Sequence, residues 1–316
     1  MDFCDFSYGL ERAHIYYSVE GSGDVKLLSV GLTGTIEEIR ARLQQDCGSL
    51  VQEGVRIAID ELSKGRYTFL GCNIIEGELS FRNYERIKNL LKHFVAKLLT
   101  DQILQREEIN IIRKIIDRNY SYLSVEERNI VLENSLNILN NGGALLEDFS
   151  LPARRSKILN RILEYLDDHH ELVLDGFITF RLKDYRDQLA QIVDKAVDEY
   201  TMDVEYKEFI RILRYFVDVQ RPQIEEVHVV IKANDTFKLL DTQGQPIHSQ
   251  YLENFIARNS EEINYEDLLI TALITIAPFN IMLHNLDAAK SPDLVDTIKN
   301  IFLGRVAICP GCNLCL

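Results

Sequence analysis

Three consecutive stretches near the C-terminus decide the fold: Asn280-Ile-Met-Leu-His284, Ser291-Pro-Asp-Leu-Val-Asp-Thr-Ile-Lys-Asn-Ile-Phe302, and Arg305-Val-Ala-Ile-Cys309-Pro-Gly-Cys312-Asn-Leu-Cys315. The first and third are short β-rich runs. Between them Leu294, Val295, Ile298, Ile301 and Phe302 keep the helical period. Ser291 can cap that helix, and Pro292 is preorganised for its first position. The pattern predicts a compact βαβ unit whose two strands are parallel neighbours. Parallel strands end at the same sheet edge, so His284 and Cys309 are expected to emerge there together.

That edge matters because of the cysteines. Three of the six, Cys309, Cys312 and Cys315, form C-x-x-C-x-x-C within seven residues. Two intervening residues let neighbouring thiolates turn onto one ion, and Pro310-Gly311 supplies a tight turn. The same spacing opens an iron–sulfur run, which needs a fourth ligand from elsewhere. His284 or a remote cysteine such as Cys72 is the candidate for that fourth position. Cofactor expectations are therefore zinc or an iron–sulfur cluster. A redox dithiol and free thiols on a frayed chain end are the competing readings. His284 also has a plain reading, as a hydrogen-bonded residue at a strand end. Cys4 and Cys47 look ordinary.

Working outward, residues 221–316 open with a hairpin, Val227 to Lys232 and Thr236 to Asp241 across Ala-Asn-Asp. A helix from Glu266 to about Ile276 then leads into the βαβ unit. Residues 79–220 read as a helical region. Ser80 to Arg118 holds no Gly or Pro and carries Ile87, Leu90, Leu91, Phe94, Val95, Leu98 and Leu99 at helical steps, with a break expected near Thr100 to Glu108. Ser124 and Glu127 form a capping box for the next helix, which Asn140-Asn141-Gly142-Gly143 stops. Residues 144–153 read as a connecting loop. Helix resumes from Ala153 to Leu166, and two more helices are expected between Leu182 and Val219, jointed at Thr201-Met202-Asp203. Residues 1–78 read as mixed α/β. His14 to Val19 and Val25 to Val30 look like a hairpin, Thr35 and Glu38 like a capping box, Leu50 to Leu62 like a helix ended by Lys64-Gly65, and Arg66 to Ile75 like a strand. The fold class predicted is α+β, predominantly helical, with a mixed N-terminal region and a small C-terminal βαβ unit.

Composition excludes several classes. With 35 Lys+Arg against 49 Asp+Glu the formal charge is -14, which argues against general affinity for nucleic acid or an anionic membrane. Hydrophobic residues at 46% supply a core, so disorder is excluded. The apolar run Leu268 to Leu283 is interrupted by Pro278 and Asn280 and falls short of a bilayer span. The N-terminus lacks a signal-peptide pattern, so a cytoplasmic protein with reduced thiols is expected. Basic residues Arg82, Arg86, Lys88, Lys92 and Lys97 read first as a solvated helix face, with docking of an acidic partner as the alternative, and Arg154, Arg155, Lys157 and Arg161 form a second basic helix face. Asp167-Asp168-His169-His170-Glu171 reads as a solvated helix end, since consecutive helical residues point in different directions. Gly31 and Gly34 precede a helix without the lysine of a phosphate loop, and no G-x-S-x-G or H-E-x-x-H is present.

A family resemblance rests on Asp175-Gly-Phe177, Phe180-Arg-Leu-Lys-Asp-Tyr185, Asp194-Lys-Ala-Val-Asp-Glu199, and Glu205-Tyr206 through Phe209-Ile210 to Leu213-Arg-Tyr-Phe-Val217. Together with the ending Ile301-Phe-Leu-Gly-Arg-Val-Ala-Ile-Cys-Pro-Gly-Cys312, these resemble the YtxC-like family, sporulation proteins of endospore-forming bacteria. The resemblance implies a cytoplasmic, sporulation-linked role and carries over no catalytic residue or substrate. Physically, Phe177, Phe180, Ile210, Leu213 and Phe216 in these blocks read as apolar anchors, and Arg181 and Lys183 as partners for acids of the following helix. The functional expectation is an interaction or regulatory protein, not an enzyme, whose terminal cysteines bind a soft metal. The alternative is a thiol redox enzyme or a metalloenzyme using the same cysteines.

Overall fold

The computed structural model describes residues 25–34, 36–77, 81–141, 149–232, 236–247, 265–286 and 292–315. The fold is α+β and predominantly helical. The chain divides into two compact units, residues 1–198 and 199–316.

In the first unit, strand β1 (Val25–Leu32) pairs antiparallel with β3 (Tyr67–Gly77), and β3 pairs antiparallel with β2 (Val55–Lys64). Residues 14–19, read as the other arm of a hairpin with β1, lie outside the described residues, as does Thr35. Helix α1 (Glu37–Gly48) starts without a side-chain cap from Ile36. The helix expected over Leu50 to Leu62 is a correction: a short 3-10 turn at Ser49–Glu53 gives way to β2. Val55-Arg-Ile-Ala-Ile alternates with period two. Lys64 pairs with Tyr67, so Gly65-Arg66 is a two-residue hairpin turn in which Gly65 takes φ 63°. Gly31 is a strand residue opposite Phe69, whose ring lies where a Cβ would be, and it belongs to no phosphate loop.

The long helical stretch comprises α2 (Phe81–Gln102), a π turn at Ile103–Glu107, and α3 (Glu108–Asn119). The expected break is thus one widened turn rather than a loop. Helix α4 (Val125–Asn141) starts with the reciprocal capping box: the Glu127 N–H donates to Ser124 Oγ at 3.2 Å, and the Ser124 N–H donates to Glu127 Oε2 at 2.7 Å. Residues 142–148, within the expected stop and loop, lie outside the described residues. Helix α5 (Leu151–Asp168) packs on α2, and Ile158, Ile162 and Leu166 of α5 and Leu91, Val95 and Leu99 of α2 are all buried. Each such side chain contributes about 1.5–3 kcal/mol. A short strand β4 (Glu171–Val173), not anticipated, joins β1 in parallel and completes the order β2-β3-β1-β4. Helix α6 (Leu174–Arg181) follows, and α7 runs unbroken over Lys183–Val219. The joint at Thr201-Met202-Asp203 is therefore a correction. Residues 183–219 contain no Gly or Pro, and Asp203 pairs with Lys207 one turn on at 2.6 Å.

Several residues read as surface or core are exchanged. Lys92 is buried and salt-bridged to Asp167 at 2.9 Å. Arg154 is 1% exposed; its Nη1 donates to the Leu139 carbonyl at 2.8 Å and its Nε lies 3.3 Å from Glu108 Oε1. The Tyr185 hydroxyl also donates to Glu108, and the guanidinium stacks over Phe149. These basic residues belong to the interior, not to docking faces. Conversely, Phe180 and Phe216 are exposed, while Phe177 and Ile210 are buried. Arg181 sits over the Tyr165 ring at 5.6 Å.

The second unit holds β5 (Glu226–Ile231), β6 (Phe237–Leu240), β7 (Asn280–His284) and β8 (Val306–Ile308) in the order β6-β5-β7-β8. β5 and β6 form the expected hairpin. Helix α8 (Tyr265–Ile276) precedes β7, and α9 (Pro292–Ile301) connects β7 to β8. β7 is parallel to both β5 and β8, so the terminal βαβ unit forms as the spacing predicts. Ser291, read as its helix cap, lies outside the described residues. Val227, Val229, Ile231, Ile281 and Leu283 turn one sheet face onto a core with Leu269, Leu273, Ile298 and Phe302.

Candidate metal centre

The parallel pairing of β7 with β8 builds the site. Leu283 pairs with Ile308, and the Cys309 N–H donates to the Leu283 carbonyl at 2.9 Å. His284 and Cys309 therefore leave the sheet side by side. Asn285, in the left-handed region at φ 59°, turns the chain out of β7 and donates from Nδ2 to the Ile231 carbonyl at 2.9 Å. After Cys309, Gly311 at φ 126° reverses the chain, and the Cys315 N–H donates to the Cys312 carbonyl at 2.9 Å. The loop so formed folds its sulfurs back over the strand ends.

His284, Cys309, Cys312 and Cys315 bring one donor atom each within 4.8 Å of one another. His284 Nδ1 stands 3.4 Å from Cys312 Sγ and 3.5 Å from Cys315 Sγ, and those sulfurs are 3.9 Å apart. Around one tetrahedral zinc, sulfurs at about 2.3 Å and a nitrogen at about 2.0–2.1 Å stand about 3.5–3.8 Å from each other. The three edges among His284, Cys312 and Cys315 fit one face of that tetrahedron, and the fourth donor, Cys309 Sγ, lies within 4.8 Å of the others. In an iron–sulfur cubane each thiolate binds a different iron, which spreads the sulfurs much farther than this.

Backbone donors surround the thiols. The Cys315 thiol is held below its ordinary value, first by the Cys312 backbone N–H and then by that of Asn285, against some desolvation. At Cys309 the Gly311 N–H lowers the thiol pKa, but desolvation and the neighbouring thiols of Cys312 and Cys315 together carry it above the ordinary value. Ionising all three neighbouring thiols would crowd negative charge together, a cost that a divalent cation relieves. His284 is 2% exposed, and burial, with His228 beside it, lowers its pKa against the opposing pull of Glu226. A neutral imidazole is the form that ligates.

Cys72 is not a member of this group. Its thiol is buried in β3 of the first unit, where a hydrogen bond with Cys47, and then desolvation, push it up; the same hydrogen bond holds Cys47 below its ordinary value against desolvation. Cys4 lies outside the described residues. His169 stacks on Tyr165 at 4.1 Å and Asp167 is taken by Lys92, so 167–169 is the helix end, as read, while Glu171 instead opens strand β4. Two residues with no assigned role stand next to His284: His228 Nδ1 is 2.9 Å from His284 Nε2, and His228 Nε2 is 3.2 Å from Glu226 Oε1. The signal for them was Glu226-x-His228 on one face of a strand adjoining β7. Strand order cannot be obtained from the local sequence.

Among the described residues no helix is long and apolar enough to cross a membrane. The YtxC-like family model matches residues 93–307, a span that contains Glu226, His228 and His284 and stops just before Cys309. The chain is similar to the protein named "Uncharacterized protein YtxC" of Bacillus subtilis (strain 168). The two are 27% identical over 224 residues, covering 70% of this chain and 78% of that protein. No solved structure matches.

Proposed function

The chain belongs to the YtxC-like family, and from that premise we propose that it is a zinc-binding protein of the interaction or regulatory class. His284, Cys309, Cys312 and Cys315 hold one zinc ion in this reading. The observation that carries it is the 3.4–3.9 Å spacing of the His284, Cys312 and Cys315 donor atoms, the edge length of a zinc tetrahedron. Three thiolates favour a soft metal, and four protein donors leave no open position for water or substrate. The ion then acts as a clip that fastens the chain beyond the three-residue strand β8 to the end of β7.

A second reading, a thiol redox protein, has a specific observation in its favour. Cys312 and Cys315 are 3.9 Å apart, Cys312 is exposed, and the Cys315 thiol is lowered, which favours the reactive thiolate. Metal analysis of the anaerobically purified chain separates the two. One zinc per chain without iron or sulfide is the expected result; a metal-free chain whose thiols cycle reversibly would replace the zinc reading with the redox one. The family resemblance further supports a cytoplasmic, sporulation-linked role. Deleting the coding sequence in its host should reduce the count of heat-resistant spores, and an unchanged count would end that part of the proposal.

A further inference from the structure

The register of β5 and β7 lines up three polar side chains. Glu226 and His228 are two residues apart on β5 and so share a face, and Val230, two further on, is the cross-strand partner of His284. Val227, Val229, Ile231, Ile281 and Leu283 take the opposite face into the core. The polar row therefore runs along the face turned away from the core, ending at the cysteine loop.

The hydrogens along this row have one consistent order. With His284 Nδ1 directed at the sulfurs as a ligand, its Nε2 carries the proton and donates to His228 Nδ1 at 2.9 Å. His228 then carries its own proton on Nε2, which faces Glu226 Oε1 at 3.2 Å, and a carboxylate is acceptor-only. The reverse order would place a proton on His284 Nδ1, between the ring and the thiolates, and exclude a metal. Metal-ligating histidines are generally oriented through the other ring nitrogen in this way.

We infer that Glu226 and His228 are positioning residues of the metal centre, a carboxylate–imidazole relay that holds His284 in the tautomer and ring orientation in which Nδ1 ligates a soft divalent metal. The inference rests on the zinc reading above. Neither residue touches the ion; each acts through the next.

Zinc affinity of the whole chain, measured by competition with a chromophoric chelator, tests the relay. Glu226→Ala and His228→Phe are each expected to weaken zinc binding about 10–100-fold. Glu226→Gln should stay close to wild type, because its amide oxygen can still accept the His228 proton. A second readout needs no variant: histidine nitrogen-15 spectra of the zinc-loaded wild-type chain should show His284 and His228 both protonated on Nε2. Wild-type affinity in both Glu226→Ala and His228→Phe, or a proton on His228 Nδ1, would overturn the relay while leaving the zinc site standing. A wild-type chain that takes up no more zinc than Cys312→Ala would instead bring down the zinc reading, and the relay with it.

Discussion

Removing zinc with a chelator is expected to lower the melting temperature of residues 199–316 by about 10 °C. The size follows from where the ligands lie in the chain. Cys309, Cys312 and Cys315 fall within seven residues and can grip an ion even when the chain is unfolded, so binding to the unfolded state cancels part of the gain. His284 lies on a different strand and joins them only in the folded unit. If the folded unit binds a hundredfold more tightly, zinc stabilises it by about 2.7 kcal/mol. For a unit of this length that corresponds to about 10 °C. Scanning calorimetry with zinc and with chelator measures the difference. The His284→Ala variant should melt at nearly the same temperature in both conditions. Equal melting temperatures for the wild-type chain would contradict a folding-linked site.

At pH 8, where Glu108 is ionised in the native protein, Arg154→Ala should destabilise the first unit by about 3–5 kcal/mol, because it strips the cation from a buried carboxylate. Glu108 is 4% exposed and, among the described residues, keeps the Tyr185 hydroxyl as its remaining partner once the guanidinium is gone. Burial already pushes the Glu108 carboxyl up to about 7, against the lowering effect of Arg154. The folded value thus lies above the ordinary 4.5. The folded state binds the proton more strongly, so this stabilising contribution is fully present below about pH 4.5 and is lost as pH rises through 7. Its full extent is on the order of 3 kcal/mol. Glu108→Gln should flatten the stability profile across that window. In Arg154→Ala the fall should extend to higher pH, since the lowering charge is absent. Urea melts of the three proteins from pH 4.5 to 8 provide the check. A loss below 1 kcal/mol in Arg154→Ala would show that the pair is not the strut its burial implies.

How much of this was legible depended on the range of the interaction. The terminal βαβ unit followed from local period, and parallel strands ending at one edge brought His284 beside Cys309. The capping box at Ser124 and Glu127 was equally local and formed as written. Residues 50–62 misled because the β-branched run after Val55 is short, and the partner that makes it a strand, β3, is recognised only through the Gly65 turn. The supposed joint at 201–203 held no helix breaker, and intrahelical pairing carried α7 through it. Lys92 and Arg154 looked like surface cations because their neutralising partners, Asp167 and Glu108, are far away in sequence. Glu226 and His228 were unreadable for the same reason. Their meaning depends on β5 being the neighbour of β7, a fact of sheet order.

X-ray absorption at the zinc edge of the anaerobically purified chain tests the central claim most directly. The account predicts one zinc with three sulfurs at about 2.3 Å and one nitrogen at about 2.0–2.1 Å. A chain without zinc, or a zinc ringed by oxygen and nitrogen alone, would contradict it.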